Sequence, residues 1–274
     1  MKQKTLLLLL VLTLAGSLAS CNLPSLSGNP EEDTPITTPS NTATVAESPT
    51  LSETVTAAEP SWIERTYDEA ADSPKYAIQA VWPNLLGEQA QVDPFNDAIN
   101  ARVDAAISNF LAALADGVDM GGGQGEPPTS TLSIDYELTM AREGLFSFWL
   151  TETSYIAIAA HPGTTSLALN YDAHSAAFLS MADLFLAGSD YMNPILGQVD
   201  EALVRRGFDY QPEQAAEVMA ERENWSLLPE GLRINFDAYE VGPYAAGPQY
   251  VMIPWGDLTG ILDPNGPASI FMME

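Results

Sequence analysis

The chain holds one cysteine and two histidines, Cys21, His161 and His174, and these bound the nucleophilic and metal chemistry open to it. A hydrolytic metal centre needs His, Asp and Glu at ligand spacing. Both histidines fall in expected turns. Asp172, His174 and Asp183 could supply three ligands, but no spacing forces them together. No metal and no cofactor is therefore expected. Serine catalysis needs a nucleophile on a strained turn, as in Gly-x-Ser-x-Gly, which does not occur. Gly188-Ser189-Asp190 reads instead as a helix N-cap. Paired carboxylates for glycoside cleavage are not excluded, because acids are abundant, and that abundance removes their diagnostic value. No catalytic residue is assigned.

Binding chemistry has a clearer focus. Tyr239, Tyr244, Tyr250 and Trp255 surround a loop rich in Gly and Pro, with Gly242, Pro243 and Gly247 inside it. Such rings could stack on sugars or anchor a protein partner. The same rings could equally close a core where two strands meet. Loops carry function more often than core strands do, so 242–248 is the first place to look.

Cys21 has its own context. Lys2 and Lys4 precede an apolar run from Leu6 to Leu14, and small residues lead to Leu18-Ala19-Ser20-Cys21. The run is too short to span a ~30 Å hydrocarbon core as a helix, so it reads as an export signal. Leu-Ala-Ser-Cys at its end resembles the bacterial lipobox, whose cysteine is acylated and becomes the mature N-terminus. Residues 1–20 are thus expected to be removed and Cys21 to carry the lipid. An ordinary signal cleaved near Ala19 is the alternative. Residues 21–60 follow as a tether: from 22 to 60 about half are Ser, Thr or Pro, six are acidic, and none is basic or aromatic. Such a segment cannot bury enough apolar area to offset the entropy of ordering it. As a flexible coil it would span ~35 Å.

Charge narrows the partners. The chain carries 37 acidic against 10 basic residues, a formal net charge of −27. That repels nucleic acid and anionic headgroups and attracts cationic partners, although acidic surfaces also serve solubility. Nucleic acid is excluded as a partner, and attachment to a membrane is expected through the lipid alone.

The elements that must position these residues begin near Trp62. A strand is expected at 76–82, ended by Pro83. Asp93-Pro94 then reads as the start of a helix in which Phe95, Ile99, Val103, Ile107, Phe110, Leu111 and Leu114 repeat every three or four residues. Asn96, Asn100, Arg102 and Asp104 take its other face. The segment 121–125 is a glycine-rich loop without the Lys-Ser/Thr of a phosphate cradle. From Thr131 the period changes to two, with strands at 132–140, 146–150 and 167–171 and turns at Glu143-Gly144 and 172–175. Helices at 191–206 and 212–222, strands at 232–236 and 249–253, and a short helix near Trp255 complete the pattern. The class is α+β, an antiparallel meander with helices packed on one face.

A family resemblance enters at the C-terminal half. Asn235-Phe236-Asp237-Ala238-Tyr239-Glu240-Val241-Gly242-Pro243-Tyr244-Ala245-Ala246-Gly247-Pro248, followed by Val251-Met252-Ile253-Pro254-Trp255, resembles the extracytoplasmic domain of unknown function of RsiV-type anti-sigma factors. Ala160-His161-Pro162 is similar to that family's Gly-Ala-His turn. Asn170-Tyr171-Asp172 and Met181-Ala182-Asp183-Leu184-Phe185 resemble its strand, turn and Asp-Leu-Phe segment. The region from Tyr76 to Leu114 is similar to the companion domain found at the N-terminus of PdaC-type peptidoglycan deacetylases. The expected division is therefore 61–128 for the companion region and 129–274 for the RsiV-type domain, joined as one compact unit. The resemblance implies an envelope protein that recognises peptidoglycan or a basic, lysozyme-like wall-active protein. It does not carry over deacetylation, which belongs to a separate domain, nor a sigma-binding arm. The function expected is a non-catalytic, lipid-anchored binding module. A carboxylate-dependent wall hydrolase and a purely structural envelope lipoprotein are the alternatives.

Overall fold

The apolar stripe that begins at Phe95 organises the first half of the computed structural model, which describes residues 60–117, 128–157, 159–208, 212–221 and 224–272. The signal, Cys21, the tether up to residue 59, the loop at 121–125 and Arg222 lie outside the described residues. Two strands come first, β1 (Ser61–Asp72) and β2 (Lys75–Leu86), paired antiparallel. At their turn end the Tyr67 and Tyr76 hydroxyls both donate to Glu69, holding its carboxyl below the ordinary carboxylate range. The helix α1 (Gln89–Gly117) follows. Its Phe95, Ile99, Val103, Phe110 and Leu114 are buried, whereas Ile107 and Leu111 sit at the margin of the same core.

Next come β3 (Ser130–Arg142), β4 (Leu145–Tyr155), β5 (Gly163–Asp172) and the two-residue β6 (Ala177–Phe178). The six strands form one sheet in the order β1-β2-β3-β4-β5-β6. After it the chain runs through α2 (Met192–Arg205) and α3 (Pro212–Glu221). A second sheet follows, β7 (Trp225–Leu228), β8 (Gly231–Phe236) and β9 (Gln249–Pro254), then α4 (Trp255–Leu258).

The α+β class holds, and four departures from the sequence reading concern β2, β3 and α1. First, β2 and β3 are parallel, Tyr76 to Ala80 opposite Ser130 to Ile134, while the sheet's other pairs are antiparallel. Parallel neighbours need a long crossover, and α1 is that crossover. Second, β2 runs past Pro83 to Leu86. Pairing with β3 has ended at Ala80, so β2 is itself an edge on that side and a missing N–H is tolerated. Third, α1 starts four residues before Asp93, with the Glu88 carbonyl accepting from the N–H groups of Gln91 and Val92. Pro94 therefore lies inside the helix. Fourth, Asn96 and Asn100 do not face solvent. The Asn96 amide bonds both the N–H and the carbonyl of Leu85, at 2.8 and 3.0 Å, and Asn100 Oδ1 accepts from the Trp82 indole at 2.9 Å. They fasten α1 to the outer end of β2.

The six-stranded sheet is covered differently on its two faces. Ile78, Leu132, Ile134, Phe146, Phe148 and Tyr171 meet α1, and Arg102 on α1 reaches Glu152 at 3.1 Å. The alternate residues of β4 and β5, among them Ser147, Trp149, Ala168 and Asn170, point the other way, toward the second sheet. A polar seam joins the two sheets there. Ser147 Oγ donates to Asn170 Oδ1 at 2.7 Å and accepts from the Leu227 N–H at 3.1 Å, and the Asn170 amide donates to the Trp225 carbonyl at 2.8 Å. Beyond the seam, Ile195, Val199 and Leu203 of α2 join Leu232, Ile234 and Ile253 in a second core.

The described residues from 60 onward fall in one compact unit, and the 128/129 boundary falls between strands of the same sheet. Among the described residues, no helix is long and apolar enough to cross a membrane.

Candidate functional site

The loop between β8 and β9 is built from two successive turns. Asp237 opens the first: its N–H donates to Glu240 Oε2 at 2.6 Å, and the Glu240 N–H returns to the Asp237 carbonyl at 3.2 Å. Closing this turn drives Tyr239 to a φ of +77°, a conformation rarely adopted by a residue with a side chain. The buried Asp237 carboxylate accepts the Ser166 N–H at 2.9 Å, tying the loop to β5. Val241 is buried, and Gly242 lies so close to the Phe208 ring that an added Cβ would stand 2.6 Å from it. The second turn is a short 3-10 turn, Tyr244–Ala246, closed by the Gly247 N–H on the Tyr244 carbonyl at 2.9 Å. Gly247 leaves it at φ +69°, and Gln249 Nε2 braces it on the Ala246 carbonyl at 2.9 Å.

This loop faces the start of β5, where His161 and Pro162 stand just ahead of Gly163. The His161 and Tyr244 rings stack with centroids 4.7 Å apart and planes inclined by 30°. Tyr239 lies 5.2 Å from Tyr244 and 6.5 Å from His161. His161 Nδ1 is 2.9 Å from the Pro162 carbonyl oxygen, which can only accept, so that nitrogen carries a proton. Around the three rings opens a cleft of about 540 Å³. His161, Pro162 and Thr164 form one wall, and Tyr239, Tyr244 and Pro248 the other. Tyr239 and Tyr244 keep 61% and 42% of their surface exposed, so part of each remains open to a ligand beside the contacts the rings make with one another. Among the described residues, no ionisable side chain lines the cleft apart from His161 and the two phenols. Its size suits a small ligand or one segment of a polymer.

The sequence-derived residues divide among three places. His161, Tyr239, Tyr244 and Gly247 meet at the cleft, with Gly242 and Pro243 shaping the loop behind it. Tyr250 stands beside a second, smaller cavity of about 200 Å³ with Glu137, Trp149 and Arg233. Its ring lies under the Arg206 guanidinium, 5.8 Å from centroid to Cζ, and its carbonyl accepts from Arg206 at 2.7 Å. Trp255 must be removed from the ligand loop. It is buried, stacks on Phe271 at 4.2 Å, and donates its indole N–H to the Leu228 carbonyl at 3.0 Å, all as a core residue at the start of α4. Cys21 lies outside the described residues.

Other candidates have structural duties. His174 packs over Gly144 with Nε2 3.0 Å from the Glu143 carbonyl, and Asp172 accepts the His174 N–H at 2.8 Å. Asp183 caps a 3-10 turn through Ser180. Asp190 caps the start of α2, accepting from the Asn193 amide. Among the described residues, no three of His, Cys, Asp or Glu are grouped to hold a metal ion. Sequence reasoning missed Thr164, Trp149 and Glu137, which are distant in sequence from the loop, and Arg233, which stands on β8 just ahead of it. The pairing of β3 with β4 and of β4 with β5, and the stacking of the two sheets, bring the first three near it.

The fold is shared by a solved structure. A member of the DUF3298 family from Bacteroides fragilis NCTC 9343 superposes with a TM-score of 0.58 at 16% identity, over 80% of this chain and 99% of its own. A DUF3298 family protein from Pseudomonas aeruginosa PAO1 is similar at a TM-score of 0.49 and 17% identity, over 76% of this chain and 94% of its own. No curated protein matches the chain. Residues 182–256, which carry the whole of the Tyr239–Tyr244 loop but not His161, match the family described as a protein of unknown function, DUF3298.

Proposed function

We propose that the chain is a lipid-anchored envelope protein that binds wall glycan in the His161–Tyr239–Tyr244 cleft without transforming it. The observation that carries this reading is the cluster of three partly open aromatic rings around a cleft that, among the described residues, is lined by no acid and no Lys or Arg. The C–H faces of pyranose rings pack on aromatic faces, and the phenols, Thr164 and loop carbonyls can satisfy hydroxyl and acetamido groups. Glycoside cleavage would need two carboxyl groups about 5–10 Å apart across the bond. Among the described residues none lines the cleft, and the neighbouring Asp237 and Glu240 accept backbone N–H groups. The lipobox-like Leu18-Ala19-Ser20-Cys21 supports an address outside the cytoplasmic membrane. Resemblance to the RsiV-type sensing domain and the PdaC-type companion region points the same way.

Cosedimentation of the full chain with purified insoluble peptidoglycan tests the reading. The parent chain should pellet with it, and Tyr244→Ala should weaken retention about tenfold, the loss of one strong contact. Equal retention of the two would sink the assignment of the cleft.

The net charge of −27 favours a second reading, a basic wall-active protein held at the acidic surface. Lysozyme retention would then fall steeply as salt rises through the screening range, whereas glycan binding in a neutral cleft would not.

A further inference from the structure

The aromatic cleft and the cavity beside Tyr250 share a wall. Pro248 lines both, and Gln249, which lines the second, is the residue that braces the loop forming the first. Each also takes one lining residue from the same sheet face, Thr164 in the first and Trp149 in the second. On the β4–β5 face turned away from α1, Thr153 lies opposite Thr164, Thr151 opposite Ser166, and Trp149 opposite Ala168. The Thr153 and Thr164 hydroxyls are 3.2 Å apart. From Thr164 in the first site to Ala168 beside Trp149 is about 13 Å of strand at the usual rise, longer than one pyranose ring.

The second cavity has a chemistry of its own. Trp149 and Tyr250 supply rings, and Arg233 with Glu137 forms a planar, two-bond pair at 3.1 and 2.8 Å. The Arg233 side chain is 11% exposed while Glu137 is 56% exposed, so the carboxylate is the more accessible half of a pair that lines the cavity. A ring for stacking beside a planar polar group that accepts from adjacent hydroxyls is the combination a second sugar residue requires. Arg206 holds Tyr250 in place from the end of α2.

We infer that the cavity formed by Glu137, Trp149, Arg233 and Tyr250 is a second sugar subsite, and that the ligand is an oligosaccharide running from the aromatic cleft over Pro248 into it. The inference rests on the glycan reading of the first cleft. It adds a minimum ligand length and a contact set on the other side of Pro248.

Calorimetric titration of the full chain in detergent with β-1,4-linked N-acetylglucosamine oligomers of increasing length separates the two. Affinity should climb with length and then level off. Tyr250→Ala should lower the affinity for the long oligomers about tenfold, one hot-spot contact, and leave the shortest binder unchanged. Glu137→Gln, which keeps the shape of an exposed side chain, should act in the same direction. Tyr244→Ala should weaken every length. Binding that is independent of length, or untouched by both Tyr250→Ala and Glu137→Gln, overturns the second subsite and leaves the first cleft standing. No binding at any length overturns both.

Discussion

Gly242 shows how much of the site rests on single residues. Its Cα lies against the Phe208 ring, so Gly242→Ala forces Phe208 out of its packing, at a cost of about 1–3 kcal/mol for overfilling a packed contact. Chemical denaturation should report that loss. A stability unchanged from the parent chain would mean that the loop relaxes freely and does not hold Tyr244 in register. At this scale the sequence was partly legible. Tyr239, Tyr244 and Gly247 declared themselves by the clustering of rings with Gly and Pro, and His161 by its family-like turn. Trp255 misled because ring type and proximity in sequence say nothing of direction. It begins α4, and its side chain turns onto Phe271 instead of toward the loop. Glu137 and Arg233 carry no local signal at all, since each is an ordinary strand residue until the sheets stack.

Among the elements, α1 was the most legible and is the most consequential. Its apolar period of three to four is written plainly, and Phe95, with no exposed surface, touches the Phe148 and Tyr171 rings at 5.5 and 5.4 Å. Phe95→Ala should destabilise the fold by about 3–5 kcal/mol, measured by denaturant or thermal unfolding. A loss below about 1 kcal/mol would contradict the packing described. The start of the helix was harder to read. Asp-Pro is a strong start signal, but Gly87 and Glu88 begin a turn earlier, and the interior Pro94 removes only one ladder bond. The parallel join of β2 to β3 was foreshadowed by a long helix between two strands, a pattern that outweighs the antiparallel habit of sequential strands. The strand β1 escaped because its residues are almost all exposed at a sheet edge, where period-two hydrophobicity has no core to answer to.

For the whole molecule, the proposed arrangement is an acidic body on a Ser/Thr/Pro-rich tether, fixed by lipid at Cys21. The described part of the molecule begins at residue 60, and its core does not involve the segment read as a tether. Cys21→Ala should therefore release a folded protein from the membrane fraction without changing its unfolding midpoint. Continued membrane retention of that variant would remove the lipid from the account. Two stacked sheets, the polar seam of Ser147, Asn170 and Trp225, and the loop pinned by Asp237 place the aromatic cleft at the junction of the layers. The sequence could announce its rings but not that junction, which depends on which face of β4 and β5 the second sheet covers.

The central claim is that sugar rings settle on His161, Tyr239 and Tyr244. Protein-observed NMR during titration with β-1,4-linked N-acetylglucosamine oligomers tests it most directly. Saturable shifts should begin at the His161 ring, Tyr239, Tyr244 and Thr164, persist when salt is raised, and need about tenfold more sugar in Tyr244→Ala. Shifts confined to other surfaces, or none at saturating sugar, would contradict the claim.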